Sequence, residues 1–149
     1  MSVNIHMIQS EIDKMGDWWH KLIFLCNFDS PIDSWFDGNS NIEVVNLNLF
    51  LSERLLGASK NTYPILVEEL LHERVNDNQK IYLLNYLDIL FDPLLKTNPI
   101  RLLENLSKRH KIIAVWPGRY KDGKLIYAES GHPEYFVGED FEGEIIDFI

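Results

Sequence analysis

The sequence predicts a single α/β domain of three layers, in which helices cover both faces of a mainly parallel sheet of about five strands. Short apolar runs, typical of strands buried on both faces, occur at residues 21–28, 80–91 and 111–116. Segments with helical spacing lie between them, and such alternation favours a parallel sheet. A chain of 149 residues suits one sizeable core. We therefore assign residues 1–149 to one domain.

The domain is predicted to open with an amphipathic helix within residues 1–20, followed by an α/β core over residues 21–149. The apolar residues that recur at helical spacings of four, three and four are Ile8, Ile12, Met15 and Trp19. This pattern is typical of a helix that packs one face on a core.

The next elements are a strand and two helices. A β-branched run predicts the strand at residues 42–49. The first helix is expected to begin at Ser52 as its cap and to end at Gly57, although Leu51 already fits the helical pattern. The second helix is entered through Pro64, a residue suited to a first helical turn.

The second half of the chain adds a helix and further strands. Apolar residues spaced by three predict a helix over residues 99–110, with basic residues at its end. Asp122 and Gly123 predict a turn that leads into a fifth strand. Residues 144–149 are expected to add a sixth, short strand.

Composition indicates a soluble cytoplasmic protein. The chain is 46% hydrophobic, too apolar for a disordered chain, and no apolar run approaches the roughly 20 residues of a membrane helix. The first residues do not resemble an export signal, and the single Cys26 offers no disulfide framework. A reducing cytoplasm is therefore the expected compartment.

Charge is unevenly distributed along the chain. The net charge of −9 argues against a surface devoted to nucleic acid, which needs clustered cations. However, eight basic residues and two acids lie between Lys96 and Lys124, and seven acids without Lys or Arg follow. Two interpretations stay open: a solvated surface with partly paired charges, or a basic docking patch beside an acidic end. The acidic candidates for partner binding are Glu139, Asp140 and Glu142.

Several motifs occur in one order in the second half. They are "ILFDP", "WPG" and "YAESGHPEY", within residues 82–135, and "VNLNLFLSERLL" at residues 45–56 accompanies them. Together they resemble the small P-loop protein of type 3 BREX (bacteriophage exclusion) systems, the BrxF-like family. The resemblance implies a P-loop NTPase-like fold of the ASCE or AAA-like type, a role in bacterial antiviral defence, work inside a multi-subunit assembly, and ATP binding.

The segment that would hold phosphate lacks the residues that ATP binding needs. A phosphate loop, GxxxxGK[ST], uses glycines to close backbone N–H groups around phosphate, a lysine to neutralise charge, and a hydroxyl to hold Mg²⁺. The matching segment, residues 26–35, contains no glycine and no lysine. The residues of this degenerate region that we single out are Cys26, Asn27, Asp29, Ser30 and Ser34.

The acidic strand end that would hold Mg²⁺ through water is also altered. Asn85, which is neutral, stands at the position that we match to the Walker B aspartate. Asp88 matches a later acidic position of the family, or it is a capping or surface acid. We therefore expect both parts of the magnesium nucleotide site to be lost.

The altered loop is expected to form a short helical turn capped by Asp29 or Ser30. Trp35 and Phe36 then pack where nucleotide would lie, or contact a partner protein. Arg119, just after "WPG", is a cation that could approach phosphate.

Other chemistry has weaker support in the sequence. The five histidines show no metal-ligand spacing. Cys26 is expected to be a buried small hydrophobe rather than a nucleophile. His132 and Glu134 could suggest acid–base work, but aromatic and proline packing of their loop is the preferred interpretation.

These observations predict a non-catalytic adaptor or regulatory subunit of a BREX-like defence complex, with no cofactor and no bound metal. Its partners would be other protein subunits of that complex, and a homo-oligomer is also open. The first alternative is an active or nucleotide-sensing ATPase component of the same system. The second is a nucleic-acid-binding accessory protein that uses the basic residues between Lys96 and Lys124.

Overall fold

The computed structural model describes residues 2–28 and 41–148, with side chains from residue 8 onward. Its helices are α1 (Ser2–Lys14), α2 (Leu47–Leu55), α3 (Tyr63–Arg74) and α4 (Pro99–Ser107). Its strands are β1 (Leu22–Cys26), β2 (Ile42–Asn46), β3 (Ile81–Asn85), β4 (Lys111–Val115), β5 (Arg119–Lys121), β6 (Lys124–Tyr127), β7 (Phe136–Gly138) and β8 (Glu144–Asp147). Short 3-10 turns lie at Met15–Asp17, Lys60–Thr62, Leu87–Phe91 and Pro93–Leu95.

Five strands form the central sheet in the order β2-β3-β4-β1-β8, and every neighbouring pair is parallel. The prediction of an α/β fold with a mainly parallel five-stranded sheet is therefore confirmed. Its last strand, β8, is the short segment predicted near residue 144.

The side chains of β1 alternate between two apolar clusters on opposite faces of the sheet. Leu22, Phe24 and Cys26 belong to a cluster with buried residues of α2, α3 and α4. Ile23 and Leu25 belong to a second cluster with α1. Because a strand is extended, successive side chains must point to opposite faces. This arrangement is compatible with three layers, and it explains why β1 is wholly apolar.

A separate antiparallel sheet, in the order β5-β6-β7, was not predicted from the sequence. The turn at Asp122 and Gly123 is confirmed, since both residues have positive φ, 52° and 77°, as a tight hairpin turn requires. However, the strand that follows this turn, β6, belongs to the small sheet and not to the central one.

Two predicted boundaries are wrong. Helix α2 begins at Leu47 rather than near Ser52, because the Asn46 side chain accepts a hydrogen bond from the Leu49 N–H at 3.0 Å and caps the helix. The preceding strand therefore ends at Asn46. Trp19 does not extend the buried face of the first helix, because α1 ends at Lys14 and the Trp19 side chain is 77% exposed.

No helix in residues 2–28 and 41–148 is long and apolar enough to span a membrane.

Candidate functional site

A cavity of about 270 Å³ opens at the carboxyl ends of β1, β3 and β4. The chain leaves β1 for β2 at one edge of the sheet, and after β4 it reaches β8 at the other edge. Ligands of open α/β sheets bind where connections diverge in this way. We call this cavity the carboxyl-edge cleft, and its lining residues are Asn27, Phe28, Asn85, Tyr86, Asp88, Val115, Trp116, Pro117 and Gly118.

Two residues of the carboxyl-edge cleft adopt left-handed backbone conformations directly after their strands. The φ of Asn27 is 57° and that of Tyr86 is 55°. Asn tolerates this region, whereas a bulky Tyr is strained in it. The Asn85 side-chain oxygen accepts a hydrogen bond from the Tyr86 N–H at 2.9 Å, which stabilises the turn. Asn85, the residue that we match by sequence to the Walker B aspartate, is therefore engaged in local structure.

Asp88 lies in the carboxyl-edge cleft and joins it to the small sheet. The Tyr127 hydroxyl donates a hydrogen bond to Asp88 Oδ2 at 2.9 Å, and the Tyr127 ring stacks on Phe91 at 3.9 Å between centroids. Burial, and then the hydrogen bond to Asp88, raise the pKa of Tyr127. One carboxylate oxygen of Asp88 thus accepts a hydrogen bond from within the protein.

Trp116 has a packing role. Its side chain is 4% exposed, and its ring meets Phe24 and Phe91 edge-on at 6.1 and 5.5 Å. Its indole N–H donates to the Ile126 carbonyl at 3.0 Å, across to β6. At Gly118, a Cβ atom would lie 1.8 Å from that same carbonyl oxygen. The "WPG" motif therefore joins the small sheet to the central one.

Arg119 does not line the carboxyl-edge cleft. Its guanidinium forms an ion pair with Glu129 and also donates to the Ala128 carbonyl at 3.4 Å. The expectation that Arg119 approaches a phosphate in this cleft is therefore not supported by its position. Among the cleft residues that the structure describes there is no Lys, Arg or His.

Cys26 and Asn27 are the first two residues of the segment that we match by sequence to a phosphate loop. Cys26 is buried, and Asn27 forms a hydrogen bond. Cys26 is fully buried, and its pKa is raised to about 12 by burial and then by the Asp147 charge. The Asn27 side-chain N–H donates to Asp147 Oδ1 at 2.7 Å and thereby links the end of β1 to β8. The predicted site and partner-binding residues Asp29, Ser30, Ser34, Trp35 and Phe36 lie outside the described residues.

The buried Cys26 leads to a prediction about thiol chemistry. We expect the native thiol to be unreactive toward Ellman's reagent at pH 8 and to react fully after unfolding in guanidinium chloride. Because burial raises the folded pKa from 9.0 to about 12, only the unfolded state loses the proton between those values. Stability should fall as pH rises through this window, by at most about 1.4 kcal/mol per pH unit. Rapid native labelling, or an equally steep fall in Cys26→Ala, would contradict this expectation.

The acidic end is held to the rest of the fold by two hydrogen bonds and an ion pair. The Asp140 carbonyl accepts from Arg101 Nη2 at 2.8 Å, and the Glu142 N–H donates to Glu104 Oε2 at 2.7 Å. Glu139 lies 3.5 Å from the Lys124 ammonium. The segment between β7 and β8 is therefore tied to α4 and β6.

Charges in the basic segment are partly paired. Arg101, Arg119 and Lys124 each form an ion pair with an acid. Within residues 41–148, the basic side chains of this segment that form no ion pair are Lys96, Lys108, Arg109, Lys111 and Lys121. Three of the eight cations are therefore paired with acids, and five form no ion pair with the described residues.

The loop that contains His132 forms a hydrogen-bonded turn. His132 Nδ1 accepts a hydrogen bond from the Glu134 N–H at 3.0 Å, an arrangement that supports the turn. In the part of the chain that the structure describes, no three His, Cys, Asp or Glu side chains converge as metal ligands do.

The protein is therefore an α/β domain whose carboxyl-edge cleft lies where the strand connections diverge. Aromatic side chains fill part of this cleft, and none of its described lining residues is a cation. No protein-family model, no curated protein and no solved structure matches this chain.

Proposed function

We propose that this protein is a non-catalytic adaptor or regulatory subunit, built on a P-loop NTPase-like fold whose phosphate-binding loop has been lost. The observation that carries the proposal is the carboxyl-edge cleft, which lies where such a fold would hold nucleotide and has no cation among its described lining residues. Triphosphate binding relies on a lysine, on backbone N–H groups of a glycine-rich loop and on Mg²⁺. A triphosphate would instead meet Asp88.

Strand order supports the P-loop part of the proposal. In ASCE-type P-loop NTPases one additional strand separates the strand before the phosphate loop from the strand that ends in the Walker B acid. Here β4 separates β1 from β3 in the same manner. Asn27, directly after β1, and Asn85, the last residue of β3, then stand at the degenerate positions.

The polar groups of the cleft have structural partners, which supports a loss of catalysis. Asn85 stabilises the strained turn at Tyr86, and Asp88 binds Tyr127. A water-held Mg²⁺ would have to compete with these hydrogen bonds.

The defence role rests on the resemblance of residues 82–135 to the BrxF-like family. A bacterial BREX-like complex would supply the protein partners, and the domain would act there by docking rather than by hydrolysis. Affinity purification of the tagged chain from cells that express its neighbouring genes tests this role. Recovery of no defence subunit, together with unchanged phage sensitivity of cells that lack the gene, would contradict it.

The central prediction is that the purified chain does not bind Mg²⁺-ATP or Mg²⁺-GTP and has no ATPase activity. Calorimetric titration should give only heats of dilution, because the described lining of the cleft supplies no cation to a triphosphate and contributes the carboxylate of Asp88 instead. An intact P-loop NTPase serves as the positive control. The variant Asn85→Asp, which restores an acid at the strand end, is also expected not to bind. Saturable binding in the micromolar range would favour the nucleotide-sensing alternative instead.

A further inference from the structure

A second cavity, of about 530 Å³, lies at the opposite edge of the central sheet. One wall comes from the segment before β1 and the other from the segment before β8. Since β1 and β8 are parallel neighbours, their amino ends bring these two segments together. We call this the Trp–Glu cavity, after the residues that matter below: Trp18, Trp19, Phe141, Glu142 and Glu144.

Aromatic rings provide much of the wall of this cavity. Trp19 leaves 77% of its side chain exposed although a large apolar core lies close by. Exposure of a side chain of this size at a concave surface is typical of binding sites. Trp18 and Phe141 are partly buried and continue the aromatic lining.

Among the described residues, no cation lies within ion-pair distance of either carboxylate of the cavity, although the charge of Glu142 acts on Arg101. Glu142 and Glu144 are both exposed, and neither forms an ion pair within residues 41–148 or with residues 8–28. The nearby Lys21 ammonium donates to the Trp18 carbonyl at 2.9 Å instead. Among the described residues that line the cavity there is no Lys or Arg, and His20 is the one basic side chain.

The backbone between these carboxylates is held firmly. Gly143 has φ of 109°, and a Cβ atom there would lie 3.1 Å from Leu22 Cγ and from Phe24 Cε2. The Glu142 N–H is bound by Glu104 at 2.7 Å. Gly143 packs directly on β1. The backbone of Glu142 and Glu144, on either side of Gly143, is therefore held in place.

We propose that the Trp–Glu cavity binds a cationic side chain, Arg or Lys, from a basic segment of a partner protein. Indole faces attract a guanidinium or ammonium group, and carboxylates add charge-assisted hydrogen bonds. The volume exceeds that of one cationic group, so a side chain and its flanking residues fit. Charge complementarity selects a basic partner and excludes nucleic acid. This inference rests on the proposed adaptor role but not on the loss of nucleotide binding.

The test uses the blocked peptide acetyl-Gly-Arg-Gly-Arg-Gly-amide and its citrulline counterpart, which is neutral and of nearly the same shape. The purified chain is titrated while its tryptophan indole resonances are followed by NMR. We expect the arginine peptide to shift the Trp18 and Trp19 resonances saturably and the citrulline peptide to leave them unchanged. Binding should weaken as salt is raised.

Two variants and two matched controls assign the effect to the cavity. Trp19→Ala should weaken binding about fivefold, as expected for a cation–π contact of about 1 kcal/mol. Glu142→Gln/Glu144→Gln should weaken it about tenfold or more. Leu56→Ala, at a residue 85% exposed on another surface, and Glu53→Gln/Glu69→Gln, with the same change of charge, should bind like the parent.

Three outcomes would overturn the proposal. They are equal binding of the citrulline peptide, absence of any shift at Trp19, and tighter binding of tetramethylammonium chloride than of the arginine peptide, which would indicate a site for a small quaternary cation. Titration of the same sample with Mg²⁺-ATP reports on the carboxyl-edge cleft separately. Failure of this inference is therefore distinguishable from failure of the proposed function.

Discussion

Ile113→Asp is expected to unfold the domain. Ile113 is fully buried at the centre of β4, where it pairs with Leu83 of β3 and Ile23 of β1. A carboxylate there would have no cation partner and would face the apolar cluster that contains α1. Leaving a buried charge unpaired costs about 3 to 5 kcal/mol, to which the lost apolar burial adds about 2 kcal/mol. A domain typically has a total stability of only about 5 to 15 kcal/mol.

Circular dichroism and thermal melting measure this effect. Ile65→Asp makes the same chemical change at a residue that is exposed on α3, and it should melt close to the parent. If Ile113→Asp also melted within a degree or two of the parent, β4 would be peripheral and the described sheet would be incorrect.

Gly118→Ala should produce the second large effect. The added methyl group would lie 1.8 Å from the Ile126 carbonyl oxygen, so β6 would have to move away from Trp116. That movement would break the indole hydrogen bond and leave a buried donor without a partner, at about 1 to 3 kcal/mol before any loss of packing. We expect a destabilisation of about 2 to 4 kcal/mol, which lowers Tm by about 5 to 15 °C for a chain of this size.

Gly16→Ala is the matched control for this substitution. A Cβ atom at Gly16 meets nothing closer than 3.7 Å, the end of the Lys111 side chain, so its Tm should change little. Near-ultraviolet circular dichroism should also change in Gly118→Ala, because the environment of Trp116 is altered. Equal melting of the two alanine variants would show that the small sheet does not depend on the "WPG" contact.

Local patterns in the sequence were sufficient for most elements of the central sheet. Apolar runs located β1, β3 and β4, because strands buried on both faces need apolar residues at every position. The boundary between β2 and α2 was misplaced, because the apolar residues continue across it and only the Asn46 side chain marks the change. Pattern alone does not distinguish strand from helix at such a point.

The details of the carboxyl-edge cleft could not be predicted in the same way. Asp88 and Tyr127 are 39 residues apart, and no local spacing indicates that they meet. The sequence did identify Asn85 as a neutral residue at a strand end, and the structure places it in the cleft. The sequence named Glu142 as a partner-binding candidate, but it did not predict the Trp–Glu cavity, since Trp19 was assigned to a buried helical face. Its exposure became visible only when the end of α1 was known.

The position of β1 between β4 and β8 has a consequence for how the protein folds as it is synthesised. Leu22 pairs with Ile112, and Ile23 pairs with Glu144, so both neighbours of this apolar strand are translated about 90 to 120 residues later. Chains are synthesised at roughly 5 to 20 residues per second, so about 5 to 25 s pass between the synthesis of β1 and that of its first and last partner strands. Long-range parallel pairing is also slow in itself. Helix α1, made immediately before β1, is then the local element that can shield one face of the nascent strand from aggregation during that interval.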